Sequence, residues 1–145
     1  MELEEAQLFR MLTDLFGRDQ VLFRMSALTV CGGQLHVVPQ MLRDGFATAS
    51  DLSRWAAGET CLFTIVDADD SPKLVVEFAE DFLDIVDPLL VEHHRVLPTL
   101  LEQVGVRYVR ILRAQLHAML DPRTNYNLVM MLEGVFGDGG EEDEQ

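Results

Sequence analysis

The sequence predicts an α/β (α+β) fold: one domain in which amphipathic helices flank a small sheet, in the order helix, strand, two hairpin strands, helix, strand, with extra helices at the C-terminal end. Three observations carry this expectation. Apolar residues recur at helical spacing in two long segments, near residues 2 to 16 and 88 to 104. Runs rich in strand formers, near residues 20 to 30, 61 to 67, 73 to 78 and 106 to 111, lie between clusters of Gly, Pro, Asp and Ser. The chain has 145 residues, 48% of them hydrophobic, which is the length of one domain with enough apolar surface for a real core.

The first helix is ELEEAQLFRMLTDLF, where Leu8, Leu12 and Leu15 share a face and Gly17 ends the turn. Glu5 precedes Leu8 by three residues and Leu12 by seven, so it falls on the apolar face. DQVLFRMSALTV reads as the first strand, from about residue 20 to 30. Gly32, Gly33, Pro39 and Gly45 then punctuate a long loop from Cys31 to Ala49, with a short strand or turn open at LHVV. Ser50 or Thr48 can cap a short helix over SDLSRWAAG, which Gly58 closes and in which Trp55 plugs the core. The hairpin follows, strand 61 to 67, a turn through DDSP at 69 to 72, and strand 73 to 78. Pro88 suits the first turn of a helix whose stripe is Leu90, His94, Leu97, Leu101 and Val104, and Pro98 must kink or restart it. Gly105 ends that helix, VRYVRI is a strand, and a helix over about 112 to 120 stops at Asp121-Pro122. TNYNLVMMLEGVF, 124 to 136, is a last helix that is apolar almost all round. The domain therefore spans residues 1 to 137, and 138 to 145 form an acidic, disordered tail.

Charge narrows the function classes. There are 25 acids against 11 bases, a net charge of −14. The last eight residues, DGGEEDEQ, hold five of the acids, so the body without them still stands at −9. Such a body repels a phosphate backbone, which disfavours direct nucleic-acid binding. No apolar run approaches the roughly 20 residues that span a bilayer, and the start MELEEAQLFR has neither the charge nor the apolar segment of a secretory signal, so the expected compartment is the cytoplasm. Cys31 and Cys61 are too few for a disulfide framework and lack metal-ligand spacing, so they read as reduced, buried thiols.

The chemistry lies in the hairpin. Glu77 interrupts the apolar run LVVEF at 74 to 78, where an ionised carboxylate is costly unless paired or metal-bound. The element order, together with LFTIV at 62 to 66, LVVEF at 74 to 78, His93, His94 and Arg95, and GVRYVRI at 105 to 111, resembles the restriction-endonuclease-like (PD-(D/E)xK) superfamily. The likeness is nearest to a small, largely uncharacterised bacterial family of that fold, and it covers roughly residues 2 to 111.

The resemblance implies a Mg²⁺ or Mn²⁺ ion held by a carboxylate on the first hairpin strand and another on the second, a lysine two residues later, and often a Glu from the first helix. Glu77 matches the second carboxylate and Glu5 the helix contribution, whereas the Asp position falls on Cys61 or Leu62 and the lysine position is Ala79. Lys73, the single lysine, precedes Glu77 by four residues, about 13 Å along a strand, and serves the turn instead. Arg95 on the next helix can replace the lost cation only as a charge clamp. No cofactor is expected and the chain reads as a non-enzyme, with Glu77, Glu5 and Arg95 as relics of a catalytic site and Glu77, Glu5 and Glu80 as the metal candidates that remain.

A salt bridge to Arg95 or a hydrogen bond to His94 would satisfy Glu77 inside the fold. His93 and His94, adjacent on a helix, project about 100° apart, which argues against a simple chelating pair. The expected function is that of a non-catalytic interaction or accessory protein on a degenerate nuclease scaffold, binding a protein partner or itself through Val129, Met130 and Phe136 of the last helix. The alternatives are a metal-dependent nuclease with rearranged ligands and an acidic mimic of DNA.

Overall fold

The computed structural model describes residues 2–33, 35–79, 87–123, 128, 129 and 132. Its first helix, α1 (Leu3–Phe16), opens on a reciprocal cap in which the Glu5 side chain accepts the Glu2 backbone N–H, and it buries Glu5, Leu8 and Leu12. Strand β1 (Val21–Ser26) is shorter than the sequence suggests. Ser26 Oγ accepts the Thr29 N–H at 3.1 Å and turns the chain into a short helix, α2 (Ala27–Val30), although ALTV favours strand. Leu35 to Val38 form no strand, and a single 3-10 turn, Gln40–Leu42, orders the long loop. Helix α3 (Ala49–Gly58) begins on a capping box between Thr48 and Asp51.

The hairpin is β2 (Thr60–Val66) and β3 (Pro72–Ala79), antiparallel, with Phe63 opposite Val76 and Thr64 opposite Val75. Asp67 organises the turn: its Oδ1 accepts the N–H groups of Asp69 (2.9 Å) and Ser71 (3.0 Å), and its Oδ2 lies 3.5 Å from Lys73 Nζ. The single lysine is therefore committed to the turn. Helix α4 (Pro88–Gln103) crosses to β4 (Arg107–Leu112), which pairs parallel to β3 with Val75 opposite Tyr108 and Glu77 opposite Arg110. Helix α5 (Arg113–Leu120) follows directly. The four strands form one mixed sheet in the order β1-β2-β3-β4.

Helices cover both faces of this sheet. Leu8 and Leu12 of α1, Leu116 of α5, Leu128 and Leu132 pack with Phe63, Ile65, Leu74, Val76, Val109 and Ile111. The opposite layer joins Val75 and Cys61 to α2, α3 and α4 through Ala27, Val30, Leu52, Ala56, Val96, Leu97, Leu100 and Leu101. Trp55 is half-buried at the edge of that layer, edge-on to Phe46, with its Nε1–H on Glu92 at 3.1 Å.

Two features of α4 correct the sequence reading. The helix runs through Pro98 without restarting, because the burial of Leu97, Leu100 and Leu101 around it outweighs the one backbone hydrogen bond that proline forgoes. The buried stripe is His93, Val96, Leu97, Leu100 and Leu101, while Leu90 is 49% exposed and Val104 lies at the helix end in partial contact with solvent. This shift turns His93, not His94, most directly into the core. Of the last predicted helix, Leu128 and Leu132 are buried and Val129 is 44% exposed. Met130, Phe136, Glu80 and the acidic tail lie outside the described residues. Among the described residues no helix is long and apolar enough to cross a membrane.

Candidate functional site

Glu77 sits near the C-terminal end of β3, on the sheet face under α4, and is only 4% exposed. Strand alternation puts it on the side of Val75, and the parallel register brings Tyr108 and Arg110 of β4 to the same side. Both carboxylate oxygens are engaged. Oε1 accepts the Tyr108 hydroxyl at 2.7 Å and the His93 Nε2–H at 2.8 Å, and Oε2 accepts the Leu62 backbone N–H at 3.3 Å with His93 Nε2 at 3.0 Å. A buried carboxylate in an apolar strand is thus tolerated because the fold supplies a cation and two neutral donors.

His93 is the centre of this network. Its Nδ1 lies 2.8 Å from Glu59 Oε1, at the end of α3, while its Nε2 faces Glu77, so the ring bridges two carboxylates with a proton on each nitrogen. Burial alone would lower its pKa; hydrogen bonds and charge attraction from Glu77 and then Glu59 overcome that and raise it to about 8. His94 behaves oppositely. Burial, reinforced by the positive charges of His93 and Arg110, outweighs Glu77 and holds its pKa below the ordinary value. Its Nδ1 is 3.1 Å from the Tyr108 oxygen, and since that hydroxyl donates to Glu77, His94 donates to it. Burial, then the charge of Glu77, drives the Tyr108 pKa far upward, so it remains a hydrogen-bond donor.

Glu59, Glu77, His93 and His94 line a cleft of about 450 Å³. Glu5, Glu59, Glu77 and Asp87 give it acidic walls, and Leu62, Phe78, Leu89 and Leu90 give it apolar ones. Arg24 also lines it and is held 3.3 Å from Glu5 Oε2. Glu5 therefore reaches the cleft that holds Glu77, although it comes from α1 on the other side in sequence.

No family model, curated protein or solved structure matches this chain.

Arg95 is not a partner of Glu77. It is exposed, with its guanidinium beside Gly45 in the long loop, and His93 takes the place beside Glu77 that the sequence offered to Arg95 or His94. Cys61 is fully buried and Leu62 nearly so; burial, then the charge of Glu77, pushes the Cys61 thiol up, and burial raises Cys31 to about 11. Ala79 is the last residue of β3.

The two adjacent histidines also meet in space. Their rings stand perpendicular with centroids 5.2 Å apart, because His93 approaches Glu77 through Nε2 and His94 through Nδ1, the latter 3.8 Å from Oε1. Glu77, His93 and His94 each offer a ligand atom within 4.8 Å of the others. Helical spacing alone missed this, since it counts projection angle and not the reach of two different ring nitrogens. The apolar set His93, Val96, Leu97, Leu100, Leu101 was present in the sequence at i, i+3, i+4, i+7 and i+8 and could have placed His93 inside. Glu59 carries no comparable signal, because it meets His93 only once α3 and α4 share a sheet face.

Proposed function

We propose that this chain is a non-catalytic interaction or accessory protein, built on a degenerate scaffold of the restriction-endonuclease-like kind, that binds a protein partner or a second copy of itself. The observation that carries this reading is the saturation of Glu77: both oxygens are spent on donors inside the fold. The positions where the superfamily resemblance wants a second carboxylate and a lysine hold Cys61 or Leu62 and Ala79, and the cleft is walled by acids that repel phosphate. A binding surface is offered elsewhere. Val129, with Met11, Leu15 and Leu128, lines a shallow and largely apolar groove of about 290 Å³ beside α1.

The test has two arms. Labelled DNA and RNA incubated with the full chain and Mg²⁺ or Mn²⁺ should remain uncut, and cleavage abolished in Glu77→Gln would overturn the reading. Light scattering of the wild type and of Val129→Glu locates the surface: a dimer that dissociates in the variant makes the partner a second copy, and a monomer in both makes it another protein. A second reading, a nuclease with rearranged ligands, draws on the meeting of Glu5, Glu77, His93 and His94 around one cleft. The cleavage arm decides between the two.

A further inference from the structure

We propose that Glu77, His93 and His94 form a binding site for Zn²⁺ or a similar first-row transition-metal ion, and not for Mg²⁺. This goes beyond the accessory reading and does not rest on it.

The geometry comes first. Three protein ligand atoms converge, one carboxylate oxygen and two imidazole nitrogens, with His93 Nε2 2.8 Å and His94 Nδ1 3.8 Å from Glu77 Oε1, and all three within 4.8 Å of one another. In a tetrahedral site with bonds of about 2.1 Å, donors stand about 3.4 Å apart. Displacements of roughly 1 Å or less per side chain would gather these three around one ion. All three residues line the cleft, so a fourth ligand, water, can reach the ion from that side.

The donor set then selects the metal. Two imidazoles and one carboxylate suit Zn²⁺ and its first-row neighbours. Mg²⁺ prefers oxygen donors in an octahedron and keeps several waters, which a donor set of two imidazoles and one carboxylate does not suit. Glu59 adds the support that such sites ordinarily show. Its carboxylate holds the far nitrogen of His93 at 2.8 Å and so fixes the ring with Nε2 aimed at the ion. Tyr108 does the same for Glu77, through a 2.7 Å hydrogen bond. Ion binding would displace the protons on His93 Nε2 and His94 Nδ1, would exchange the His93–Glu77 and His94–Tyr108 hydrogen bonds for one metal bond from each of the three residues, and would tie α4 to β3 through the ion.

The experiment is a calorimetric titration of the full, chelator-stripped chain at pH 8, where the ion must displace the protons still carried by the ligating nitrogens. Zn²⁺ should bind once per chain and Mg²⁺ should neither bind the site nor compete. His94→Gln and Glu77→Gln, each confirmed folded by circular dichroism, should bind Zn²⁺ at least tenfold more weakly. Glu59→Ala should weaken binding by about 10- to 100-fold through the orientation of His93. Because Glu77→Gln removes a buried partner and can unfold, the wild type is also loaded with Co²⁺. An intense visible band from a four-coordinate, nitrogen-containing site supports the proposal, and the pale spectrum of an octahedral all-oxygen ion overturns it. Absence of saturable Zn²⁺ binding, or undiminished binding by folded His94→Gln, overturns it as well. None of these outcomes depends on nucleic-acid cleavage, so failure here and failure of the accessory reading are separate results.

Discussion

At the scale of the residue, the largest consequences fall on His93, whose ring lies between Glu59 and Glu77. Its folded pKa of about 8 stands above the ordinary value of 6.5. The protonated form is therefore the one that folding favours, so this stabilisation is complete below pH 6.5 and is lost as pH rises through about 8. Allowing for solvent screening at the cleft, it amounts to about 1 kcal/mol. Urea midpoints of wild type and His93→Gln in the presence of a chelator should differ more at pH 6 than at pH 9; an equal gap at both would contradict the assignment. Glu77→Gln should cost more, about 2 to 3 kcal/mol, because it strands a buried imidazolium and leaves an amide facing three donors. A melting temperature equal to or above that of the wild type would show that the network contributes nothing. Thr64 offers the reverse case. Its hydroxyl is fully buried and has no hydrogen-bond partner among the described residues. Thr64→Val should therefore stabilise the protein by about 1 kcal/mol, read as a higher urea midpoint with an unchanged slope.

At the scale of the element, α3 is the support for Glu59 and depends on its N-terminal cap. Thr48 Oγ1 accepts the Asp51 N–H at 3.1 Å, and the Asp51 carboxylate accepts the Thr48 N–H at 3.3 Å. Thr48→Ala should cost about 1 kcal/mol. Hydrogen exchange should show the loss first in the opening turn of α3, and uniform loss across the sheet would point to a different origin. That cap was legible in the sequence, as were the hairpin, the α4 start at Pro88 and the turn role of Lys73. Two elements were not. Ser26 reads as a strand residue until its hydroxyl is seen to cap α2. The α4 stripe admits two registers one residue apart, and the sheet selects the one that buries His93.

At the scale of the whole molecule, the net charge of −14 acts against compaction. Among the described residues, many ion pairs are exposed and contribute little, such as Lys73 with Asp67 and Arg123 with Asp121. Screening should then help more by reducing self-repulsion than it harms by weakening these pairs. The melting temperature should rise as ionic strength goes from about 0.01 M to about 0.15 M, where the Debye length falls from about 30 Å to about 8 Å. A falling melting temperature would mean that surface pairs dominate. The same charge bears on partners: a surface that accepts this chain is expected to be apolar or basic, and salt should slow association with a basic one.

The sequence by itself determined the mixed α/β class, the order of the elements, the hairpin around Glu77 and the acidity of the body, because these depend on periodicity, turn chemistry and composition, which are local or additive. Only the tertiary structure decided what Glu77 touches. The partners of its carboxylate come from β2, β4 and α4, and its histidine is held by the end of α3. Those contacts join residues 15 to 34 positions apart, and no spacing rule within one helix or strand can assign them. Packing of the helices on one face of the sheet brings them together.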